Sequence, residues 1–195
     1  MNRAVFLDRD GVINHRAQEG EWITRWEDLQ FLPRVPDAIS VLNRAGFRVM
    51  VISNQRCVAR GLISSHDLDV IHHQMCSALA RNGATIDAIY YCPHEKDVGC
   101  GCRKPAPGML LRAQHEHGID LSASWMVGDS ESDIATGRNA GCKTVLLPLN
   151  RHSEASAADL VARSLLEATH KILQLEKSSE DPASAALSKI GNFYL

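Results

Sequence analysis

Two aspartates near the start of the chain have a spacing that suits nucleophilic catalysis. Asp8 and Asp10 follow a short apolar segment and precede Gly11. Because glycine permits a sharp turn, the two carboxylates can enter one site with different orientations. One could attack phosphorus, while the other could protonate the leaving oxygen and then activate water. An isolated D-x-D-G sequence is more often an acidic surface turn, so this interpretation needs support from other residues.

Two other polar clusters could bind a phosphoryl group. Ser53 and Asn54 offer a hydroxyl group and amides that could hold negatively charged oxygens. Arg103 and Lys104 offer two cations: the lysine could stabilise transition-state charge, and the arginine could bind another part of a substrate. Taken alone, Ser-Asn is also a common turn sequence and Arg-Lys a common solvated pair.

A fourth cluster is acidic and suits a hard metal ion. Asp129 follows Gly128 after another apolar segment, and Asp8 and Asp129 could share Mg²⁺, which prefers oxygen ligands. Asp133 lies one helical turn later. It could bind the ion through water or orient the loop, and it could equally be a favourable charge at a helix N-terminus.

A cysteine-rich segment has the composition of a structural zinc site. Cys92, His94, Cys100 and Cys102 offer three thiolates and one imidazole within eleven residues. Four such ligands fill a tetrahedral Zn²⁺ site and leave no open position. The spacing differs from that of a zinc finger, which weakens a nucleic-acid interpretation. The segment leads directly into Arg103 and Lys104, so the bound metal would fix the loop that carries both cations.

The chemistry-bearing residues follow predicted strands. Short buried strands alternate with longer helical patterns, which predicts a doubly wound, Rossmann-like α/β fold with a parallel sheet. In such folds the functional residues lie at the carboxyl ends of the strands. Strands are predicted over residues 4–7, 48–52, 88–91, 124–127 and 144–147, and helices over 36–45, 65–82, 107–117 and 132–140.

Composition favours one globular α/β domain over residues 1–150, followed by a helical extension and tail. An amphipathic helix is predicted over 154–175, a polar linker over 177–181, and a short helix or tail over 182–195. The net charge of −2 gives no support to nucleic-acid binding. Since no apolar run could span a bilayer and no secretory signal is evident, we expect a cytoplasmic protein without a membrane partner.

The ordered motifs resemble the four motifs of haloacid-dehalogenase-superfamily phosphatases. The resemblance implies the haloacid-dehalogenase type of fold without a large cap domain. It also implies that Asp8 is the nucleophile and Asp10 the acid/base. It implies that Ser53 and Lys104 stabilise the phosphoryl group. It also implies that Asp8, the Asp10 backbone carbonyl and Asp129 hold Mg²⁺. The motifs that carry the resemblance are Asp8-Arg9-Asp10-Gly11, Ser53-Asn54, Lys104 and Gly128-Asp129.

Within that superfamily, the cysteine-rich loop resembles that of the D-glycero-D-manno-heptose 1,7-bisphosphate 7-phosphatases. This resemblance implies a sugar bisphosphate as substrate, on the route to nucleotide-activated heptose for lipopolysaccharide and other surface glycans. It also implies substrate contacts from Asn54, Gln55, Arg56 and Arg103. The segment 15–22 and Ser130 differ from the usual pattern. The matching segments are Tyr91-Cys92-Pro93-His94, Cys100-Gly101-Cys102-Arg103-Lys104-Pro105 and Ala59-Arg60-Gly61.

Two other functions stay open on the sequence alone. Histidinol-phosphate phosphatases share the motifs and a similar Cys/His loop, but their substrate carries an imidazole and an amine in place of a second phosphate. A non-catalytic, zinc-stabilised interaction module is the alternative of another class, and the four intact motifs speak against it. The expected partner is a small phosphorylated metabolite, and a monomer is the default oligomeric state.

Overall fold

The computed structural model describes residues 2–148 and 157–180, which form a parallel six-stranded sheet with helices on both faces. The strand order is β3-β2-β1-β4-β5-β6. The chain adds strands on one side of β1 and then crosses to the other side, so the order reverses between β1 and β4. The strands are β1 (Ala4–Leu7), β2 (Arg48–Asn54), β3 (Ala88–Cys92), β4 (Trp125–Gly128), β5 (Lys143–Leu146) and β6 (Leu160–Val161).

Within the described residues, five α-helices cover the sheet. Apolar residues of α1, α2 and α5 pack with Val5 and Leu7 of β1 on one face. Those of α3 pack with Ala4 and Phe6 on the other. Since both faces are covered, each central strand is a continuous apolar run rather than an alternating one. The helices are α1 (Val35–Arg44), α2 (Ser65–Ala80), α3 (Gly108–His117), α4 (Glu131–Asn139) and α5 (Leu165–Glu180).

The five predicted strands and the first four predicted helices are confirmed, with ends that shift by one or two residues. The doubly wound parallel sheet is confirmed as well. Its reversal of strand order brings the segments after β1 and β4 together, which is where ligands bind in open α/β sheets. No helix within the described part of the chain is long and apolar enough to cross a membrane.

The prediction for the C-terminal region is wrong in two places. Leu160 and Val161 form β6 instead of helix, because β6 pairs in parallel with β5 and extends the sheet. The helix begins only at Leu165, where Ser164 accepts a hydrogen bond from the Glu167 backbone NH in a local cap. It continues to Glu180, through most of the predicted linker. The predicted helix or tail over 182–195 lies outside the described residues.

The sheet therefore does not end at residue 150, where the sequence predicted the end of the domain. Asp159 holds the segment before β6 against β5, since its carboxylate accepts hydrogen bonds from the backbone NH and hydroxyl of Thr144, both at 2.7 Å. Helix α5 is tied to the amino-terminal side of the sheet by Glu176. The Glu176 carboxylate accepts from Trp125 Nε1 at 3.2 Å and pairs with Arg3 and Lys143, each at 3.1 Å.

Candidate active site

A buried lysine joins two acidic segments at the carboxyl edge of the sheet. Lys104 Nζ lies 2.7 Å from Asp8 Oδ1, just past β1, and 2.6 Å from Asp133 Oδ1 in α4. It also donates to the carbonyl oxygen of Ile52 in β2 at 3.1 Å. Burial acts against the charged amine, yet the two carboxylates keep the pKa of Lys104 above its usual value. The ammonium therefore stays protonated although only 5% of the residue is exposed.

Asp133 caps helix α4, as one of its two interpretations predicts, and it also makes an ion pair that the sequence did not predict. It is a helix-capping residue, since its Oδ2 accepts hydrogen bonds from the backbone NH and hydroxyl of Ser130 at 3.1 and 2.5 Å. Its other oxygen pairs with Lys104. The close approach depends on Gly128, because a Cβ there would lie 2.0 Å from Asp133 Cβ. Larger residues at position 128 would push the first turn of α4 away from the sheet.

Three carboxylates meet where a cation could bind. Asp8, Asp129 and Asp133 each offer an oxygen, and these oxygens lie within 4.8 Å of one another. Asp129 Oδ2 is buried and accepts no hydrogen bond from the described residues. Such an orphaned buried oxygen is costly unless a cation or donor meets it, and an all-oxygen ligand set suits Mg²⁺. The residues present therefore fit this ion.

The pKa shifts of these carboxylates also favour a bound cation. Burial, opposed by Lys104 and reinforced by Asp133 and Asp10, raises the pKa of Asp8 to about 7. Burial also raises the pKa of Asp129, against the effect of Arg16. The cluster thus holds more negative charge than its own cations compensate, a condition that favours binding of a further cation.

Arg16 is a site residue that the sequence did not single out. It lies in the segment between Gly11 and α1, with 41% of its side chain exposed, and its guanidinium pairs with Asp129 Oδ1. Gly11 makes room for this arrangement, because a Cβ there would fall 1.5 Å from Asp129 Oδ2 and 2.9 Å from Arg16 Nε. The positive φ of 93° at Gly11 also favours glycine.

Asp10 is held by donors from three side chains. Arg9 donates through Nε and Nη2 at 3.0 to 3.2 Å, Asn14 Nδ2 at 2.8 Å and Gln55 Nε2 at 3.0 Å. Although burial acts to raise the pKa of Asp10, Arg9 and these hydrogen bonds hold it below its usual value. The Asp10 carboxylate is therefore fixed in orientation and ionised in the free protein.

Behind Arg9 lies His72, a residue of α2 that sequence analysis also missed. His72 Nε2 lies 3.3 Å from Arg9 Nη1, and its ring is 5.6 Å from that of Tyr91. Burial, together with the positive charge of Arg9, lowers the pKa of His72 to about 3. The imidazole is therefore neutral at physiological pH.

Three residues at the end of β2 hold neighbouring groups. Asn54 Oδ1 accepts from the Lys104 backbone NH at 3.1 Å, and Asn54 Nδ2 donates to the Lys104 carbonyl at 3.3 Å. Gln55 Nε2 donates to Ser53 Oγ at 2.8 Å as well as to Asp10. The side chains of Asn54 and Gln55, which the sequence assigned to substrate binding, thus already bind the Lys104 backbone and the two proposed catalytic groups Ser53 and Asp10.

Arg56 belongs to a cluster that connects three loops. It pairs with Glu95 at 3.7 Å and lies 5.6 Å from the Trp22 ring centroid. Arg60 pairs with the same glutamate at 2.6 Å and lies 5.0 Å from the same ring. Trp22 comes from the segment after β1 and Glu95 from the cysteine-rich loop. The two arginines therefore tie both loops to the end of β2.

The four candidate zinc ligands converge. Cys92 Sγ lies 3.6 Å from both His94 Nδ1 and Cys100 Sγ, and Cys102 Sγ lies 3.3 Å from His94 Nδ1. One ligand atom from each residue falls within a 4.8 Å cluster, a spacing that suits a tetrahedral metal site. Arg103 Nη1 donates to the His94 carbonyl at 3.1 Å, so this arginine is anchored on the cysteine-rich loop.

Of the cavities at this edge, two share Lys104. One, of about 170 Å³, is lined by Asp8, Asp10, Ser53 and Lys104 together with Arg16. The second, of about 440 Å³, shares Asn54, Lys104 and Ser132 with the first and adds Lys96 and Arg103. The proposed reacting groups therefore face a small cavity that borders a larger one with two additional cations.

The chain is similar in sequence to a family of known proteins. A family model described as HAD-hydrolase-like matches residues 101–168. The D-glycero-beta-D-manno-heptose-1,7-bisphosphate 7-phosphatase of Photorhabdus laumondii is 38% identical over 186 residues, which cover 89% of this chain and 97% of that protein. The corresponding alpha-anomer enzyme of Burkholderia mallei is 39% identical over 172 residues, which cover 84% of this chain and 89% of that one.

A solved structure shows the same fold with ligands. The D,D-heptose 1,7-bisphosphate phosphatase of B. bronchiseptica, complexed with magnesium and phosphate, superposes with a TM-score of 0.81 at 34% identity. The match covers 89% of this chain and 99% of that chain. Since relatives above 30% identity are matched over nearly their whole length, the likeness extends well beyond the individual motifs.

The neutral, buried state of His72 predicts how stability changes with pH. An unfolded histidine binds a proton below about pH 6.5, whereas folded His72 does so only near pH 3, so acidification stabilises the unfolded chain. This residue should therefore remove up to about 2 kcal/mol of stability between pH 7 and pH 5. The free energy of unfolding of a His72→Gln variant should fall correspondingly less over that pH interval, as measured by urea unfolding at each pH. His73→Gln, an exposed neighbour on α2, should follow the wild type.

Proposed function

This chain belongs to the haloacid-dehalogenase-like phosphatases, and from that membership we propose that it removes the 7-phosphate of D-glycero-D-manno-heptose 1,7-bisphosphate. The observation that carries the proposal is the contact of 2.7 Å between Asp8 and Lys104, which lie close to Asp129 and line the same cavity. The relatives that act on heptose bisphosphates support the substrate. The reaction would lie on the route to nucleotide-activated heptose.

In the first half-reaction, Asp8 would attack phosphorus. Its Oδ1 is held by the backbone NH of Arg9 and by Lys104, both at 2.7 Å, so the carboxylate has one orientation towards the cavity. A bond forms between the Asp8 carboxylate and phosphorus, and the bond from phosphorus to the sugar oxygen breaks. Asp10, once protonated, donates its proton to that leaving oxygen.

In the second half-reaction, Asp10 would act as a base. It takes a proton from a water molecule whose oxygen attacks phosphorus, and the bond from Asp8 to phosphorus breaks to release inorganic phosphate. Lys104 and Ser53 would hold the charged phosphoryl oxygens during both steps. Their places are set by Asn54, which holds the Lys104 backbone, and by Gln55, which donates to Ser53.

We propose Asp8, the backbone carbonyl of Asp10 and Asp129 as ligands of Mg²⁺. The orphaned Asp129 Oδ2 supports this assignment, as does the magnesium complex of the B. bronchiseptica relative. When bound, the ion would neutralise charge on the phosphoryl oxygens and the Asp8 carboxylate. Arg16 would remain paired with Asp129 at the rim of the cavity.

We propose that Cys92, His94, Cys100 and Cys102 hold a structural Zn²⁺. Four protein ligands complete a tetrahedral site, which leaves no position for a substrate. Because Arg103 donates to the His94 carbonyl, the ordered loop would fix this cation beside the reaction centre. Metal binding would thus determine the shape of the substrate cavity without taking part in the chemical steps.

The larger cavity suits the second phosphate of the substrate. Arg103 and Lys96 line it, and neither is needed to balance Asp8 or Asp129. Asn54 and Lys104 border both cavities, so the reacting phosphate and a second anion can be bound at once. Arg56, tied to Glu95 and Trp22, would contact the sugar from the loop that follows β2.

The nucleophile is tested by Asp8→Asn. Loss of the attacking carboxylate should reduce phosphate release from heptose bisphosphate by about 10³-fold or more, while thermal unfolding stays cooperative. Asp37→Asn, at an exposed site in α1, should retain wild-type activity. Rates should be measured by phosphate release with excess Mg²⁺. An Asp8→Asn variant with near-normal turnover would refute the covalent mechanism.

The same assay, run in parallel with histidinol phosphate, tests the substrate. The wild-type kcat/KM should be higher for heptose bisphosphate, and equal or faster turnover of histidinol phosphate would reject the sugar assignment. If the protein hydrolyses neither substrate but does hydrolyse a generic phosphomonoester, the assignment as a phosphatase stands and the proposed substrate is wrong.

The second-phosphate site is tested by Arg103→Ala and Lys96→Ala. Each should raise KM for the bisphosphate by about tenfold or more, as expected for loss of a charge-assisted contact, and should change KM for heptose 7-phosphate much less. The variant Arg112→Ala, exposed on α3, is the matched control. Equal effects on the bisphosphate and the monophosphate would show that the cavity does not recognise the second phosphate.

Zinc is tested by Cys100→Ser. The purified variant should contain much less zinc, unfold at a lower temperature and lose activity because the segment around Arg103 loosens. Cys76→Ser, on α2 and outside the cluster, should keep its zinc. Metal content should be measured by atomic emission on protein purified without added zinc. Full activity in a zinc-free preparation would contradict a structural metal.

A further inference from the structure

Helix α2 places one polar side chain among its buried residues, and that residue is His72. The other buried residues of this helix are Leu68, Ile71, Met75, Ala78 and Leu79. A histidine that is only 4% exposed loses its hydration, and this loss is costly unless its ring nitrogens find partners. The partner of Nε2 is Arg9 Nη1, at 3.3 Å.

The direction of this hydrogen bond follows from the chemistry of the two groups. A guanidinium can only donate, so His72 Nε2 must accept and the ring proton must lie on Nδ1. The depressed pKa of His72 agrees with a neutral ring that accepts from a cation. His72 is therefore a fixed acceptor for a buried arginine.

Arg9 divides its donors between two groups. Nη1 faces His72, whereas Nε and Nη2 contact both oxygens of Asp10 at 3.0 to 3.2 Å. Arg9 is 1% exposed, so solvent does not compete for these donors. The guanidinium is planar and rigid, so a partner at one edge sets the direction of the opposite edge. His72 and Asp10 thus lie on two sides of one rigid group.

We propose that His72 is a positioning residue for the phosphatase reaction: it holds the Arg9 guanidinium in the plane that aims the Asp10 carboxyl at the leaving oxygen. The inference rests on the proposed function, since it requires Asp10 to be the acid. Asn14 and Gln55 each hold Asp10 through one hydrogen bond, while Arg9, of these three residues, contacts both oxygens. Without His72, Arg9 keeps its charge but loses its fixed plane.

Substrates with different leaving groups can show whether His72 positions the acid Asp10 or only supports the fold. A sugar alkoxide leaves only when it is protonated, whereas 4-nitrophenolate is stable enough to leave without a proton. A misaligned Asp10 should therefore slow transfer from the sugar phosphate to Asp8 and have little effect on transfer from 4-nitrophenyl phosphate. A loosened site would slow both reactions.

The experiment measures formation of the phosphoenzyme in single-turnover rapid quench with heptose bisphosphate and with 4-nitrophenyl phosphate. His72→Leu should slow the reaction of the sugar by about tenfold or more, within the range that acid catalysis contributes, and the reaction of the aryl phosphate by less than about threefold. His72→Gln, which restores an acceptor, should recover most of the loss. His73→Leu, on the exposed side of α2, should match the wild type.

A second variant covers the case in which His72→Leu does not fold. Arg9→Lys keeps the charge next to Asp10 but lacks the rigid fork, and it should show the same selective loss on the sugar substrate. Equal slowing of both substrates, or unchanged rates in His72→Leu, would overturn the inference. If the wild type itself forms no hydroxylamine-sensitive phosphoenzyme, the proposed function fails instead, so the two failures are distinguishable.

Discussion

The ion pairs of Lys104 are the contacts that the rest of the site depends on. They bring together residues that are 96 and 29 positions apart in the chain, at the ends of β1 and at the start of α4. Desolvation of an ammonium and two carboxylates is expensive, and their mutual attraction offsets it only in good geometry. The contribution of this group is therefore to geometry more than to stability. Lys104 can reach both carboxylates and the Ile52 carbonyl only when the sheet order places β1 between β2 and β4.

Charge balance around this lysine explains why the site suits a phosphate monoester and a divalent ion together. The carboxylates of Asp8, Asp10, Asp129 and Asp133 face three cations, from Arg9, Arg16 and Lys104, which leaves one excess negative charge. This excess is consistent with the raised pKa of Asp8. A divalent cation would reverse the sign of the balance, and the dianionic phosphate would then meet a positive site. The substrate and the ion thus stabilise each other's binding.

The sequence was most informative where local pattern and topology agree. Buried strands, helix ends and the residues that follow the strands could be predicted because each depends on a few neighbouring residues. Asp8, Lys104 and Asp129 could be located because parallel strands bring their carboxyl ends to one edge. Arg16 could not, since its contact with Asp129 depends on the path of an irregular segment. His72 had a detectable signal, a polar residue at the helical spacing of Leu68 and Met75, but its partner is set by tertiary packing. The start of α5 was missed because β6 competes with helix only through its pairing with β5.

The described structure shows a division between a buried reaction centre and loops that are tied together at the surface. Asp8, Ser53, Lys104 and Asp129 are all buried next to the carboxyl ends of the strands, so contacts within the protein rather than solvent set their positions. The loops that line the cavities are held to one another by Trp22, Arg56, Arg60 and Glu95 at the surface. Ion pairs in that setting are weak one by one, but a stacked and shared network restricts several loops at once. The cysteine-rich loop adds Arg103 to the same rim through His94. Short braced loops of this kind can shape a substrate cavity without a cap domain, and changes in them would alter substrate choice while leaving the Asp8–Lys104 chemistry intact.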